Sequence, residues 1–178
     1  MTLQELLSAV AEPLEEMALV DTRQLVCSYP GGDVLVEAYR ALELESVADA
    51  VVEQVRENLD FSLGATTSAA ADAEEKPFNV LDSAPAHRVL RSMLGAQPHI
   101  VVDEDAQASM TTSPLAQSFA SKLAAVFAGK LLAVATSCNR GAFTVLHLLL
   151  ALPDDEKTTA KVRAVCVGTP FPCIHPHP

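Results

Sequence analysis

Residues 136–152 read TSCNRGAFTVLHLLLAL. A short turn of Asn139, Arg140 and Gly141 runs straight into a segment, Phe143 to Leu152, whose apolar run is broken only by Thr144 and His147. Two structures fit such a stretch. It is a phosphate-binding or catalytic loop at the start of a helix, or it is one unit of a repeat whose helix is an inner packing element buried by its neighbours. In the second case the Asn139-Arg140-Gly141 turn sets the direction in which the helix starts.

The surrounding chain favours helices. Aromatic residues are only 4% of the 178 and Trp is absent, while apolar positions recur at helical spacing, which predicts an all-α protein. The length suits one domain with a sizeable core. TLQELLSAVAEPLEEMALV (2–20) carries Leu3, Leu6, Leu7, Val10, Leu14, Met17 and Leu19 as a helical stripe that must pack against something, with Pro13 as a break or kink. DTRQLVCSY (21–29) reads as a short helix capped by Asp21, and PGGDVLVEAYRALEL (30–44) as a helix opening at Pro30 and Gly31. ESVADAVVEQVRENL (45–59) is amphipathic, with Val47, Val51, Val52, Val55 and Leu59 on one side. VLDSAPAHRVLRSMLGA (80–96) restarts helix, capped by Asp82 or Ser83, and helix resumes from Pro114 through Ser137 and again after Pro153. The small polar stretch at 64–76 and the acidic one near 103–113 read as mobile loops, and the Pro-rich end at 169–178 as a frayed tail. One helical-repeat domain over 1–178 is the expectation.

Several function classes recede on composition. The opening residues include Glu5, Glu12, Glu15 and Glu16 where a secretory signal needs a basic start and an apolar run, so an intracellular protein is expected. No segment approaches the ~20 apolar residues of a membrane span. Cys27, Cys138, Cys166 and Cys173 form no CxxC pair and fit reduced thiols. Cys166, Cys173, His175 and His177 are acceptable zinc ligands, but their spacing matches no structural zinc pattern, and Asp103, Glu104 and Asp105 lack the spaced oxygens and glycine of a calcium loop. Neither a metal nor another cofactor is expected. Cys138 and His147 lie nine residues apart along a turn and a helix, out of reach of one another as a nucleophile pair. NRGAF also lacks the glycine-lysine pattern of a phosphate loop. The reading is therefore non-enzymatic.

Three stretches resemble one another: PGGDVLVEAYRAL (30–42), PAHRVLRSMLGA (85–96) and NRGAFTVLHLLLAL (139–152). Each has a small-residue turn, a polar or bulky pair and then an apolar helix. Repetition of this kind predicts an α-α superhelix in which each unit buries what its neighbour exposes.

The pattern resembles Pumilio-type repeats, in which a small-residue turn precedes a helix of the form G-x-x-V-[IL]. SCNRGAFTVLHLLL, APAHRVLRSML and GGDVLVEAY are similar in order and separation to the C-terminal (CPL) region of the Penguin-like, or Puf-A, branch, and the resemblance covers about Leu3 to Leu152. It implies a helical-repeat domain of a nucleolar protein that binds RNA and assists assembly of the large ribosomal subunit, without enzymatic activity. Members of that branch are larger and basic. This chain carries a net charge of −11 and a pI near 4.7, and the resemblance implies that it is the C-terminal portion of a longer protein.

Charge of this sign restricts any nucleic-acid role to a local patch, because phosphates are neutralised by Lys and Arg. Aligned on the aliphatic pair, the base-reading positions of Pumilio repeats hold Gly32, Asp33 and Val36 in the first unit and Ala142, Phe143 and Leu146 in the third. Neither set reads a base edge. The second unit holds His87, Arg88 and Arg91, which suit phosphate contact or stacking without sequence information. Asn139 and Arg140 complete the candidate set. Arg140 reads equally as a contact to a phosphate or an acidic partner, or as an exposed loop residue or a cap of the preceding helix, with Asn139 capping the next; His87 reads more readily as a surface or partly buried histidine than as a stacking one. His147, among leucines, reads as a core or groove histidine bonded to a neighbour. The competing function is an acidic scaffold whose concave surface takes basic partners such as ribosomal proteins. Clustering of Arg23, Arg40, Arg88, Arg91, Lys122, Lys130 and Arg140 on one face would favour RNA; an acidic groove would favour the scaffold.

Overall fold

The computed structural model describes residues 3–63, 79–95, 113–153 and 155–157. Apart from Ser113, the loops expected near 64–76 and 103–113 and the tail at 169–178 lie outside the described residues, as do Cys166, Cys173, His175 and His177. Eight helices, a further helical turn at 155–157 and no strand occur among the described residues, as an all-α chain requires. The eight are α1 (Leu3–Val20), α2 (Thr22–Val26), α3 (Tyr29–Leu42), α4 (Glu45–Ser62), α5 (Ala84–Met93), α6 (Pro114–Val126), α7 (Leu131–Ser137) and α8 (Asn139–Ala151).

Helix starts follow one device. Ser28 Oγ accepts from Gly31 N at 3.0 Å, Ser83 Oγ from Ala86 N at 3.5 Å and Ser113 Oγ from Ala116 N at 3.2 Å, each with a proline in the first turn. At α8 the cap is Cys138, whose Sγ accepts from Gly141 N at 3.3 Å. Asn139, expected to cap this helix, is instead its first residue, and Arg140 and Gly141 complete the first turn. Asp21 sits at the α2 cap position but makes no side-chain cap bond; the hydroxyl of Thr22 donates back to Ala18 O instead.

The third helical residue of α3 and of α8 is glycine for a steric reason. A Cβ on Gly141 would lie 2.3 Å from Val134 O, and one on Gly31 2.9 Å from Leu25 O. In each case a long helix starts hard against the backbone of the short helix before it, α7 or α2. α5, which follows a turn and not a short helix, tolerates Ala86 at the same place, fully buried.

The three stretches that resemble one another in sequence are α3, α5 and α8, and α5 packs against both α3 and α8. α4 packs against α6, which reaches α8, while α1 touches α3 and α4. The core between them holds Leu35, Tyr39, Val51, Val55, Leu90, Met93, Phe119, Leu123, Phe127 and Leu148. All five residues expected on the apolar side of α4 are buried. Tyr39 crosses the layers: its ring tilts against Phe119 with centroids 6.2 Å apart, and its hydroxyl donates to Leu115 O at 2.6 Å.

Two elements depart from expectation. α1 runs unbroken through Pro13, but Val10, Met17 and Leu19 of its stripe are exposed and the helix meets its neighbours through buried Ala18. The stretch after Pro114 is two helices, bent by 96° between Val126 and Leu131, where Gly129 adopts φ +76°. No single helix among the described residues is long and apolar enough to cross a membrane.

Candidate nucleic-acid interface

The turn at residues 79–83 prepares one wall of the site. Asn79 Oδ1 accepts from Leu81 N and Asp82 N at 3.1 and 3.0 Å, and Ser62 Oγ accepts from Val80 N at 3.1 Å. The turn is thereby pinned to α4 and shaped by its own side chain. Cys138 ties the start of α8 to it, since the thiol donates to Leu81 O at 3.5 Å while accepting from Gly141 N. Arg140 adds a second tie, donating from Nη1 to Asp82 O at 2.7 Å and to Asp82 Oδ1 at 3.0 Å. A role for Arg140 as cap of the preceding helix is not what the structure shows; its guanidinium holds the turn before α5.

An open cleft of about 640 Å³ lies between that turn, α5 and the start of α8, lined by Asp82, His87, Arg91, Cys138, Asn139, Arg140 and Phe143. Four of the five residues singled out in the sequence, His87, Arg91, Asn139 and Arg140, therefore share one cleft although 48 residues or more separate the two pairs (139 − 91 = 48). Arg88 is elsewhere. One residue on from His87, it turns toward α3 and pairs with Asp33 at 3.1 Å.

Arg91 has no hydrogen bond or ion pair among the described residues, and nothing there neutralises it directly. His87 Nε2 is buried and has no hydrogen-bond partner among the described residues. Burial, then the neighbouring Arg91, Arg140 and His147, holds the His87 imidazole below the usual histidine range. His147, one turn beyond Phe143 on α8, is lowered by burial and by Arg91. It is half-buried, and no hydrogen bond from its ring to another described residue accompanies that burial. The cleft thus sets Arg91 beside the Arg140–Asp82 pair, and an anion entering it meets the Arg91 charge first.

Phe143, set aside in the sequence because it reads no base edge, also lines the cleft. It is 53% exposed at the cleft, and Leu146 and Leu150 on the same helix are 49% and 44% exposed. α8 is therefore buried on one side only, through Gly141, Thr144, Leu148 and Ala151, and is not the fully enclosed packing element its composition suggests. Asp82 was legible only as an alternative cap; once Ser83 takes that task, its carboxylate serves Arg140.

Lys122, Lys130 and Arg40 are engaged within the fold. Lys122 of α6 reaches Glu45 and Asp49 of α4 at 2.5 and 2.7 Å, Lys130 reaches Asp60 at 2.5 Å, and Arg40 donates to Ser92 O at 2.6 Å. They act as ties between helices. No group of three or more metal-ligating side chains occurs among the described residues. Comparison of the chain with known protein families, curated proteins and solved structures finds no match.

Proposed function

We propose that the chain is a non-catalytic helical-repeat module that binds RNA through the α5–α8 cleft, without base-specific readout, as part of a nucleolar factor in large-subunit ribosome assembly. The observation that carries the reading is the convergence of Arg91, which has no hydrogen bond or ion pair among the described residues, with His87, Asn139, Arg140 and exposed Phe143 in one cleft. Guanidinium, imidazole and amide donors are the groups that meet phosphate and sugar oxygens, and they carry little sequence information. The ribosomal setting and the superhelical arrangement of the repeats rest on the resemblance to the Penguin-like C-terminal region and on the packing of α5 against both α3 and α8.

The test is fluorescence anisotropy of a labelled structured RNA with the purified chain at low salt. Arg91→Glu is expected to weaken binding about tenfold or more, because it inverts the cleft's unpaired charge. Arg88→Glu, outside the cleft and already paired with Asp33, is expected to change it far less. Absence of saturable binding by the unaltered chain overturns the reading.

A second reading is favoured by a different observation. Lys122, Lys130, Arg40 and Arg88 are engaged with acids or carbonyls of neighbouring helices, leaving the excess of acidic side chains to dominate the surface. That arrangement suits a scaffold for basic partners such as ribosomal proteins. Saturable binding of a Lys-rich peptide, undiminished by Arg91→Glu, would select it.

A further inference from the structure

We propose that the chain self-associates head to tail, the outer face of α1 in one copy docking on the exposed face of α8 in a second copy. The contact needs no RNA and meets the α5–α8 cleft only at Arg91 and Phe143. The two helices lie at opposite ends of the packing order. α1 packs against α2, α3 and α4, α8 packs against α5, α6 and α7, and the α3–α5 and α4–α6 contacts join the two halves. Each end helix leaves an apolar line in solvent. On α1 it is Val10, Pro13, Met17 and Val20, the last 75% exposed, and on α8 it is Phe143, Leu146 and Leu150. Both lines follow the i, i+3, i+7 spacing that keeps side chains on one side of a helix. At the helical rise they run for about 15 Å and about 10 Å. Arrays of stacked helices stay apart in solution when their outermost faces are polar. Here both outer faces are apolar, and two helices can pack along such lines ridge into groove.

Charge selects the pairing of unlike faces. No Asp or Glu occurs from 106 to 153, which includes all of α6, α7 and α8, and Asp82 at the cleft is engaged by Arg140. Arg91 stands at the Phe143 end of the α8 line. α1 is the opposite. Glu12 and Glu16 are exposed and flank its apolar line on one side, while Glu15 accepts a hydrogen bond from Ser46 of α4 at 2.5 Å. An α8–α8 pairing brings no acid to Arg91, and an α1–α1 pairing sets Glu12 and Glu16 against their own kind. α1 on α8 joins the two apolar lines and brings carboxylates to the cationic end. Because the faces differ, a pair of copies still presents one α1 line and one α8 line, and growth continues past the dimer.

Sedimentation velocity of the full chain over roughly 1–100 µM, the weak end of protein association, is the test. The weight-average mass is expected to rise past that of a dimer as the concentration increases. Leu146→Glu and Val20→Glu should each prevent growth past a dimer and lower the mass toward that of the monomer, since each puts a carboxylate into one of the apolar lines. Val34→Glu, exposed on α3 between the two ends, should leave the association unchanged. An equimolar mixture of the Leu146→Glu and Val20→Glu variants should form a one-to-one dimer and nothing larger, because the first keeps an intact α1 face and the second an intact α8 face. The substituted side chains lie largely at the surface, and the far-ultraviolet helix signal checks that the fold is kept; Leu150→Glu and Met17→Glu address the same two faces should either variant unfold. A chain that stays monomeric throughout the range overturns the proposal and leaves the two lines to other segments of the chain or to another protein. Self-association abolished by only one of the two variants, with no dimer in the mixture, also overturns it, since like faces are then meeting.

Discussion

Gly141 shows how one missing side chain can position a site. Its Cβ would meet Val134 O at 2.3 Å and Ser137 Oγ at 2.8 Å, and the first of these is backbone that moves only if α7 moves. Gly141→Ala is expected to cost about 1–3 kcal/mol of folding stability, the scale of overpacking, with Ala142→Ser on the exposed side within about 0.5 kcal/mol of the unaltered chain. Urea denaturation of both checks the difference. The same substitution displaces the start of α8 from the 79–83 turn, so RNA affinity should fall with it. His87 and His147 set a pH dependence of definite sign. Both are held below the ordinary histidine value by burial first and by Arg91 next, so the unfolded chain binds their protons more readily than the folded one. The stability they allow is complete above about pH 6.5, the unfolded value, and is lost as pH falls through the lower folded values. Denaturation midpoints should decline on acidification through that interval, and His87→Gln should flatten the decline.

Between helices the ties are few and of unequal worth. Lys122 bridges Glu45 and Asp49, and Lys130 meets Asp60, but the carboxylates are about half or more in solvent. Asp60→Asn is expected to cost about 0–1 kcal/mol. Tyr39 is different: its ring is buried, and its hydroxyl satisfies Leu115 O at the start of α6. Tyr39→Phe removes that bond while the carbonyl keeps its place in the helix ladder, and should cost about 0.5–1.5 kcal/mol, so a thermal scan of the two variants should rank Tyr39→Phe at or below Asp60→Asn. Which of these elements the sequence makes legible follows from what each depends on. α4 is legible because its valines repeat at helical spacing and one side is buried along its length. α3, α5 and α8 are legible as related units because each start needs a small residue beside a cap, and that need leaves Gly31, Ala86 and Gly141 at matching places. The bend between α6 and α7 is not, since apolar periodicity continues across it and only Gly129 marks the change of direction. Cys138 as a cap escapes notice because thiols seldom serve as caps, and the exposure of α8 depends on what does not pack there. Within the site, residue type points to His87, Arg91, Asn139 and Arg140, but the pairing of Arg88 with Asp33 and of Arg140 with Asp82 is tertiary and has no local signature.

At the scale of the whole molecule, two salt dependences of opposite sign should coexist. The chain carries 23 acidic and 12 basic residues, so its surplus acids repel one another over distances comparable with the ~10 Å screening length at 0.1 M salt. The helix-to-helix ion pairs act at about 2.5–3.1 Å and are screened less. Added salt therefore relieves repulsion before it weakens the ties, and the thermal midpoint should rise from low to moderate ionic strength. RNA affinity should fall over the same range, but gently. A cleft that neutralises about two phosphates gives a log–log slope near −1.5 to −2, against about −5 or steeper for an extended basic face. The shallow slope follows from where the cations are: Lys122, Lys130, Arg40 and Arg88 are occupied within the fold, and Arg91 with its cleft neighbours is left to meet the strand. Measuring the midpoint and the affinity on one preparation across one salt series tests both. A steep slope would mean that RNA binds along a surface other than the α5–α8 cleft, and a midpoint that falls with salt would mean that the inter-helix ion pairs outweigh the repulsion of the acidic surface.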